Sequence, residues 1–165
     1  MAEPTVFIVD DHAGVRDSIA ELVESVGLRH VTFDSAQRFL DAFDPEARGC
    51  LVLDVRMAHM SGPALQDHLR TIGARIPIVF ISGHADIDVA VRAIKAGAVN
   101  FVTKPYREQE LLDSINQALA MDAANRSPPG DASEFAARLT TLSARERQVM
   151  ELVTTGQSSK EIARV

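Results

Sequence analysis

Short apolar runs alternate with helical apolar periods over about the first 120 residues of the chain. Strands are predicted at Thr5–Val9, His30–Phe33, Cys50–Leu53, Ile76–Ile81 and Val99–Val102. This alternation indicates βαβ units built around a parallel sheet. The wholly apolar runs are typical of strands that are covered on both faces, whereas the mixed run His30–Phe33 is typical of an edge strand.

Five helices are predicted between and after these strands, each with an apolar stripe along one side. Ser35 can cap the second helix, Pro63 suits the first turn of the third, and Gly27 and Gly97 end the first and the fourth. The stripes are Val15, Ile19, Leu22, Val23 and Val26; Phe39, Leu40 and Phe43; Leu65, Leu69 and Ile72, expected to face inward; Ile87, Val91 and Ile94; and Leu111, Leu112, Ile115 and Leu119.

A different pattern begins near residue 126. The paired prolines Pro128 and Pro129 cannot continue a helix, so this stretch is predicted to be a linker. Beyond it, Ser143–Glu146 and Ser158–Glu161 each have the spacing of a capping box, which predicts two short helices.

Charge and cysteine content narrow the class of protein. The net charge of −6 is uneven, with −7 on residues 1–125 and +1 on residues 126–165, which fits two modules with different partners. No apolar run approaches the ~20 residues of a membrane helix, and the first residues lack the basic stretch of a signal peptide. The single cysteine, Cys50, is expected to be a buried thiol in the reducing cytoplasm.

Polar residues stand where the predicted strands end. The first strand is followed by Asp10 and Asp11, the third by Asp54, the fourth by Ser82 and the fifth by Thr103 and Lys104. Ligand sites of doubly wound sheets lie at the carboxyl ends of the strands. If the strand order is 2-1-3-4-5, the three aspartates share one pocket and the serine and the lysine close its other side.

Three clustered carboxylates cannot all stay ionised without a cation. Oxygen ligands in a small open site suit Mg²⁺, and a carboxylate there can act as a nucleophile toward phosphorus. Each residue also has an ordinary alternative: the Asp10–Asp11 pair could cap the next helix, Asp54 could be a loop residue, Ser82 a turn residue and Lys104 a surface lysine. Together, at four strand ends of one sheet, the set favours a phosphoryl-transfer site.

These residues resemble the receiver domain of two-component response regulators over roughly residues 4–122. The motifs that carry the resemblance are Val9-Asp10-Asp11, Leu53-Asp54-Val55-Arg56-Met57, Met60-Ser61-Gly62, Ile81-Ser82-Gly83-His84, Ala96-Gly97-Ala98 and Lys104-Pro105. The resemblance implies a flavodoxin-like, doubly wound five-stranded parallel sheet of order 2-1-3-4-5, followed by a short all-α segment. It implies a signalling protein rather than an enzyme.

The resemblance also assigns roles to residues of the pocket. It implies Asp54 as the phosphoacceptor and Mg²⁺ as the cofactor. The metal would be held directly by Asp11, Asp54 and the backbone carbonyl of Arg56, with Asp10 acting through water.

Three further residues would respond to the phosphoryl group. The resemblance implies that Ser82 and Lys104 bind it and that Phe101 is an aromatic switch, which turns inward as Ser82 moves. It also implies a cis peptide bond between Lys104 and Pro105.

The tail is similar to the start of a LuxR/FixJ-type helix-turn-helix, and the whole sequence to FixJ-type regulators. The motifs are Leu142–Met150 and Lys160–Ala163. The implied domains are a receiver at residues 1–122, a linker at 123–135 and the first part of the DNA-binding domain at 136–165. The recognition helix that enters the major groove is missing from the sequence, so promoter DNA is expected as a partner only of the complete protein.

One departure from the family pattern concerns the loop after Asp54. Ala58 stands where a proline is usual, which is expected to loosen the loop and soften the metal geometry at the Arg56 carbonyl.

The expected partners follow from this resemblance. A sensor histidine kinase would supply the phosphoryl group. Phosphorylation would then favour a homodimer through the fourth helix, the fifth strand and the fifth helix, with Val91, Lys95 and the Phe101 region exposed to a second copy.

Two other classes of protein share parts of this residue pattern. A haloacid-dehalogenase-like phosphatase would have its acid partner two residues after the nucleophile, where this chain has His12, and it would leave Asp54 without a role. A pseudo-receiver that dimerises without phosphorylation would not require the complete set of polar residues.

Overall fold

A computed structural model describes residues 3–84 and 86–126 of the chain. Strands and helices alternate strictly along this part. The elements are β1 Thr5–Val9, α1 Ala13–Ser25, β2 Arg29–Phe33, α2 Ala36–Ala42, β3 Gly49–Asp54, α3 Gly62–Thr71, β4 Ile78–Ser82, α4 Ile87–Lys95, β5 Asn100–Thr103 and α5 Glu108–Asn125. The predicted helices that follow the capping boxes, and the proline pair, lie outside the described residues.

The five strands form one parallel sheet in the order β2-β1-β3-β4-β5. This confirms the predicted fold class and strand order, and it places the mixed β2 at an edge. In the register, Val9 pairs with Leu53 and Ile81 with Asp54, so the carboxyl ends of the three central strands meet at one edge of the sheet.

Alternate residues of the strands belong to two separate hydrophobic cores. Leu51 and Leu53 of β3 pack with residues of α2, α3 and α4 on one face of the sheet. Cys50 and Val52 pack with α1 and α5 on the other face. Successive side chains of a strand point to opposite faces, which explains why β3 is buried along its whole length.

Gly49 lies at the amino end of β3, where no side chain fits. Its φ is 136°, and a Cβ there would overlap the carbonyl group of Thr5. Its N–H donates to the buried carboxylate of Asp122, 3.0 Å away, and this bond fastens α5 to β3. The next residue is the predicted buried thiol Cys50; burial, with a smaller contribution from the charge of Asp122, raises its pKa to about 12.

Some apolar positions do not lie where the helical stripes suggested. Ile72, expected to face inward, is exposed because α3 ends at Thr71 and Ile72 is its C-cap. Val26 is exposed for the same reason at the end of α1.

The stripe of α4 lies outside the core. Ile87, Val91 and Ile94 are 75%, 45% and 45% exposed. The side of α4 that packs on the core carries Val89 and Ala93 instead. An apolar row at helical spacing therefore faces solvent on this helix.

The last helix of the described residues, α5, runs to Asn125, three residues past the predicted end of the receiver. No helix among residues 3–84 and 86–126 is long and apolar enough to cross a membrane.

Candidate functional site

Two buried aspartates lie side by side at the carboxyl edge of the sheet. Asp10 follows β1 and is 1% exposed, and Asp54 ends β3 and is 5% exposed. They are neighbours because β1 and β3 pair in parallel, with Val9 opposite Leu53. Asp11, the next residue, is more exposed. The parallel register of β1 and β3 therefore brings the aspartates together at this edge, as the sequence predicts.

Lys104 supplies the positive charge between the two buried acids. Its Nζ lies 3.4 Å from Asp10 Oδ2 and 3.7 Å from Asp54 Oδ1. Its backbone N–H donates to the carbonyl of Ser82 at 2.7 Å, which sets it at the end of β4 and β5. The peptide bond between Lys104 and Pro105 is cis, as the resemblance implied.

The balance of charge around Asp54 is unfavourable for its ionised form. The pKa of Asp54 is raised from its ordinary value of 3.8 to about 6; burial is the largest cause and the negative charge of Asp10 the next, whereas the Lys104 ammonium lowers the pKa. Asp11 contributes a smaller increase and His12 a smaller decrease. One ammonium group therefore does not compensate for three carboxylates, and this is the charge deficit that a cation would fill.

His12 belongs to the cluster, although the sequence offered no reason to include it. Its Nδ1 lies 2.8 Å from Asp11 Oδ1, and its backbone N–H donates to Asp10 Oδ1 at 2.8 Å. Possible ligand atoms of Asp10, Asp11 and His12 lie within 4.8 Å of one another. The position directly after an acid pair, at the N-cap of α1, is the feature that could have indicated it.

The helix-capping alternative for the acid pair is not what the structure shows. The N-cap of α1 is His12, and it has no side-chain capping hydrogen bond. The Asp10 carboxylate instead lies between the His12 N–H and Lys104.

Ser82 is buried at the end of β4, next to the Asp54 strand. Its hydroxyl donates to the carbonyl of His84 at 2.8 Å and accepts from the His84 N–H at 3.1 Å. Phe101 lies on β5, partly buried, with its ring centroid 6.2 Å from that of Phe80. Both residues therefore lie on the strands that flank the pocket, in positions compatible with the predicted roles.

The loop after β3 folds back tightly over the strand end. The Gly62 N–H donates to the carbonyl of Val55 at 3.0 Å, and a Cβ on Gly62 would overlap the carbonyl oxygen of Asp54. Arg56 lies in this loop with an exposed side chain. The loop also brings the Ala58 N–H to 3.2 Å from Asp11 Oδ2.

The donor set at this edge fits a hard divalent cation. The carboxylates of Asp10, Asp11 and Asp54 offer oxygen ligands beside a loop that carries the Arg56 carbonyl, and oxygen ligands are what Mg²⁺ prefers. Burial and the negative charge of Asp10 raise the pKa of Asp54, and a bound cation would favour its ionised form. The predicted ligand set is therefore consistent with the site, and its occupancy stays a prediction.

A doubly wound parallel sheet with an acid pair, a buried acid, a buried hydroxyl and a lysine at its carboxyl edge defines a receiver-type domain. Residues 6–116 match the response regulator receiver domain, and residues 140–165 match the bacterial regulatory proteins of the luxR family.

Relatives of known class extend the match along nearly the whole chain. The transcriptional regulatory protein TdiR of Thauera aromatica is 45% identical over 161 residues, 98% of this chain and 71% of TdiR. The transcriptional regulatory protein FixJ of Rhizobium meliloti (strain 1021) is 42% identical over 164 residues, 99% of this chain and 80% of FixJ. The solved structure of the response regulator StyR is 46% identical with a TM-score of 0.75, covering 98% of this chain and 82% of that one.

The chain therefore belongs to the response regulators of two-component systems, as a transcriptional regulator of the FixJ type with a receiver domain and a luxR-type DNA-binding domain.

Proposed function

We propose that this response regulator acts in the cytoplasm, that its Asp54 accepts a phosphoryl group from a sensor histidine kinase, and that the phosphorylated receiver dimerises to control transcription at promoter DNA. The observation that carries the proposal is the buried carboxylate of Asp54 beside Asp10 and 3.7 Å from Lys104 Nζ. A buried acid with a raised pKa, at the ligand edge of a doubly wound sheet, is a candidate for reaction rather than for structure.

The transfer step uses the ionised form of Asp54. With a pKa of about 6, most of this carboxylate is deprotonated at pH 7 to 8. One carboxylate oxygen attacks the phosphorus of the kinase phosphohistidine, and a new O–P bond forms. The P–N bond breaks, and its electron pair remains on the imidazole nitrogen. The product is an acyl phosphate on Asp54.

Two side chains of the pocket would bind the transferred group. The Lys104 ammonium, now between Asp10 and Asp54, would pair with a phosphoryl oxygen. The Ser82 hydroxyl, now directed to the His84 carbonyl, would turn to donate to another oxygen. Phe101, partly buried beside Phe80, would move into the space that this rearrangement opens.

Mg²⁺ would be held by Asp11, Asp54 and the Arg56 carbonyl, with Asp10 acting through water. It supplies charge neutralisation of the phosphoryl oxygens when it is bound. The chain itself contributes the converging carboxylates, and Lys104 reduces the repulsion between the two buried ones.

The solvent-facing row of α4 is the proposed contact with a second copy. Ile87, Val91 and Ile94 are exposed at helical spacing, and such a row is unfavourable in water unless it is covered. The nearby charges suit a two-fold interface, because α4 carries exposed Arg92 and Lys95 whereas α5 carries exposed acidic residues. A two-fold axis would set each basic surface against an acidic one.

The phosphoacceptor is tested by intact mass after incubation with acetyl phosphate and Mg²⁺. One added phosphoryl group is expected for the wild type and none for Asp54→Asn. Asp67→Asn, which alters an exposed acid of α3, is the matched control and should be modified like the wild type. Modification of the Asp54→Asn variant, or none of the wild-type protein while it is folded, would contradict the proposal.

The dimer is tested by gel filtration with and without a stable phosphoryl mimic. The wild type is expected to double its mass with the mimic, and Val91→Asp to remain monomeric. The control is Val31→Asp, at a valine of β2 that is 43% exposed against 45% for Val91. Equal behaviour of the two variants would refute the α4 surface.

A further inference from the structure

Both carboxylate oxygens of Asp11 already have partners in the structure. Oδ1 lies 2.8 Å from His12 Nδ1, and Oδ2 accepts from the backbone N–H of Ala58 at 3.2 Å. The second partner is 47 residues away along the chain. This bond joins the acid pair after β1 to the loop after β3.

The loop after β3 is shaped so that the Ala58 N–H points at the acid pair. The Met60 N–H donates to the Ala58 carbonyl at 2.8 Å, which closes a tight turn on His59. His59 has a φ of 67°, in the left-handed region that a residue with a side chain adopts at some energetic cost. The Gly62 N–H then returns the chain to Val55, so the turn is fixed at both ends.

Electrostatics explains what this bond does for Asp11. The Asp11 side chain is 29% exposed, and it lies next to the buried, negatively charged Asp10. Repulsion and hydration would both draw an unrestrained Asp11 carboxylate toward water. A backbone donor opposes this, and a hydrogen bond to a charged acceptor is among the stronger kinds.

We infer that the Ala58 backbone N–H is a positioning group, which holds the Asp11 carboxylate beside Asp10 and so preorganises the cation site. The inference rests on the proposed Mg²⁺ site and adds a residue to it that acts through Asp11. It is the reverse of the expectation that Ala58 softens the metal geometry, because alanine donates an N–H to Asp11 that proline, usual here in the family, does not have.

The test is Mg²⁺ binding to the unphosphorylated protein, measured by titration calorimetry with the metal alone. Ala58→Pro removes the donor and is expected to weaken Mg²⁺ binding on the order of tenfold, as the loss of one hydrogen bond to a charged group predicts. Ala58→Gly keeps the N–H and is expected to bind within about twofold of the wild type, because no hydrogen bond is lost. Circular dichroism and the midpoint of urea unfolding verify that each variant is folded.

The outcomes separate this inference from the proposed function. Wild-type protein that binds no Mg²⁺ would remove the metal site and this inference with it. A wild type that binds Mg²⁺, with Ala58→Pro binding equally or more tightly, would overturn the positioning role alone.

A second measurement does not depend on the proline variant. In the metal-free protein, the Ala58 amide proton is expected downfield in the NMR spectrum, because it is bonded to a carboxylate. It should move upfield in Asp11→Ala, and the Ala64 amide, which donates to Ser61 Oγ, should not. An unmoved Ala58 resonance would also overturn the inference.

Discussion

The two ends of the sheet each bury an aspartate, and different groups lie beside the two carboxylates. At the amino end, Asp122 is 2% exposed and accepts the N–H of Gly49 at 3.0 Å. At the carboxyl end, Asp54 is 5% exposed, lies 3.7 Å from Lys104 Nζ and has Asp10 as a like-charged neighbour. Both carboxylates are buried, and the groups beside them differ: a backbone N–H donates to Asp122, whereas a like-charged carboxylate and a lysine lie beside Asp54.

The comparison separates a structural acid from a reactive one. A hydrogen bond from a backbone N–H to a charged group stabilises a fold by roughly 1.5 to 3 kcal/mol. A carboxylate that is desolvated beside another carboxylate has its charged form disfavoured, and the pKa of Asp54 rises to about 6 for that reason. Asp122 is thus expected to contribute stability, whereas Asp54 is expected to reduce it at neutral pH.

The largest effect is expected at the amino end, from Gly49→Ala. The new Cβ would overlap the Thr5 carbonyl at a φ of 136° and push β3 away from β1. We expect a loss of roughly 4 kcal/mol in the free energy of unfolding, measured by urea denaturation. Gly73→Ala is the control, since Gly73 also has a positive φ (73°) but open space around it, and it should lose about 1 kcal/mol.

Removing the buried acid itself should have the next largest effect. Asp122→Ala leaves the buried Gly49 N–H without this acceptor and removes the hydrogen bond between α5 and β3. The expected loss is about 3 kcal/mol in the free energy of unfolding. The exposed Asp41 of α2 provides the control, and Asp41→Ala should change stability by less than about 0.5 kcal/mol. Equal losses in the two variants would show that the Gly49 bond contributes nothing.

At the carboxyl end we expect a gain in the free energy of unfolding instead of a loss. The variant is Asp54→Asn, studied in metal-free buffer. The pKa of Asp54 is higher in the folded protein, about 6, than the ordinary value of 3.8. The wild type therefore loses stability as pH rises from about 4 through 6, because ionisation is less favourable in the fold than in the unfolded chain. Asparagine cannot ionise, so at pH 8 the variant should be more stable by roughly 3 kcal/mol.

The gain in Asp54→Asn should disappear at pH 4, where Asp54 is protonated in the folded wild type. Urea denaturation at both pH values checks this prediction. If the variant were less stable than the wild type at pH 8, the Asp54 carboxylate would stabilise the fold, as that of Asp122 is expected to do.

The fold and the site residues at the carboxyl edge of the sheet could be predicted from the sequence for one reason. Apolar runs with polar residues at their ends are local patterns, and a parallel sheet collects every such end at one edge. Asp10, Asp54, Ser82 and Lys104 were found in this way, since none of them depends on how a loop bends.

Features that depend on loop shape or helix docking were not accessible to the same reasoning. The bond from Ala58 to Asp11 spans 47 residues and that from Gly49 to Asp122 spans 73, so no local pattern contains either of them. The stripe of α4 shows the limit of periodicity. It identified Ile87, Val91 and Ile94 as one row, but docking through Val89 and Ala93 decided that the row faces water.

The smallest effect is expected from removing the ammonium group of Lys104 at the carboxyl end of the sheet. Lys104→Met replaces the unbranched lysine side chain by one that is a single atom shorter and removes the positive charge between Asp10 and Asp54. Because that charge lowers the pKa of Asp54, the pKa in the variant should lie above the wild-type value of about 6. NMR titration of the Asp54 carboxyl carbon in metal-free buffer measures it, with Lys95→Met of the exposed α4 surface as the control.

The free energy of unfolding gives a second measurement of the interaction between Lys104 and Asp54. At pH 8, Lys104→Met should be less stable than the wild type by about 1 kcal/mol, because the ionised Asp54 has lost its compensating charge. The difference should shrink toward pH 4, where Asp54 is protonated with or without the lysine. In the Asp54→Asn background the same substitution should cost less, since only the contact with Asp10 remains to be lost. If the loss is equal in both backgrounds, Lys104 serves Asp10 alone, and the contrast between the two ends of the sheet rests on the burial of Asp54 and the charge of Asp10.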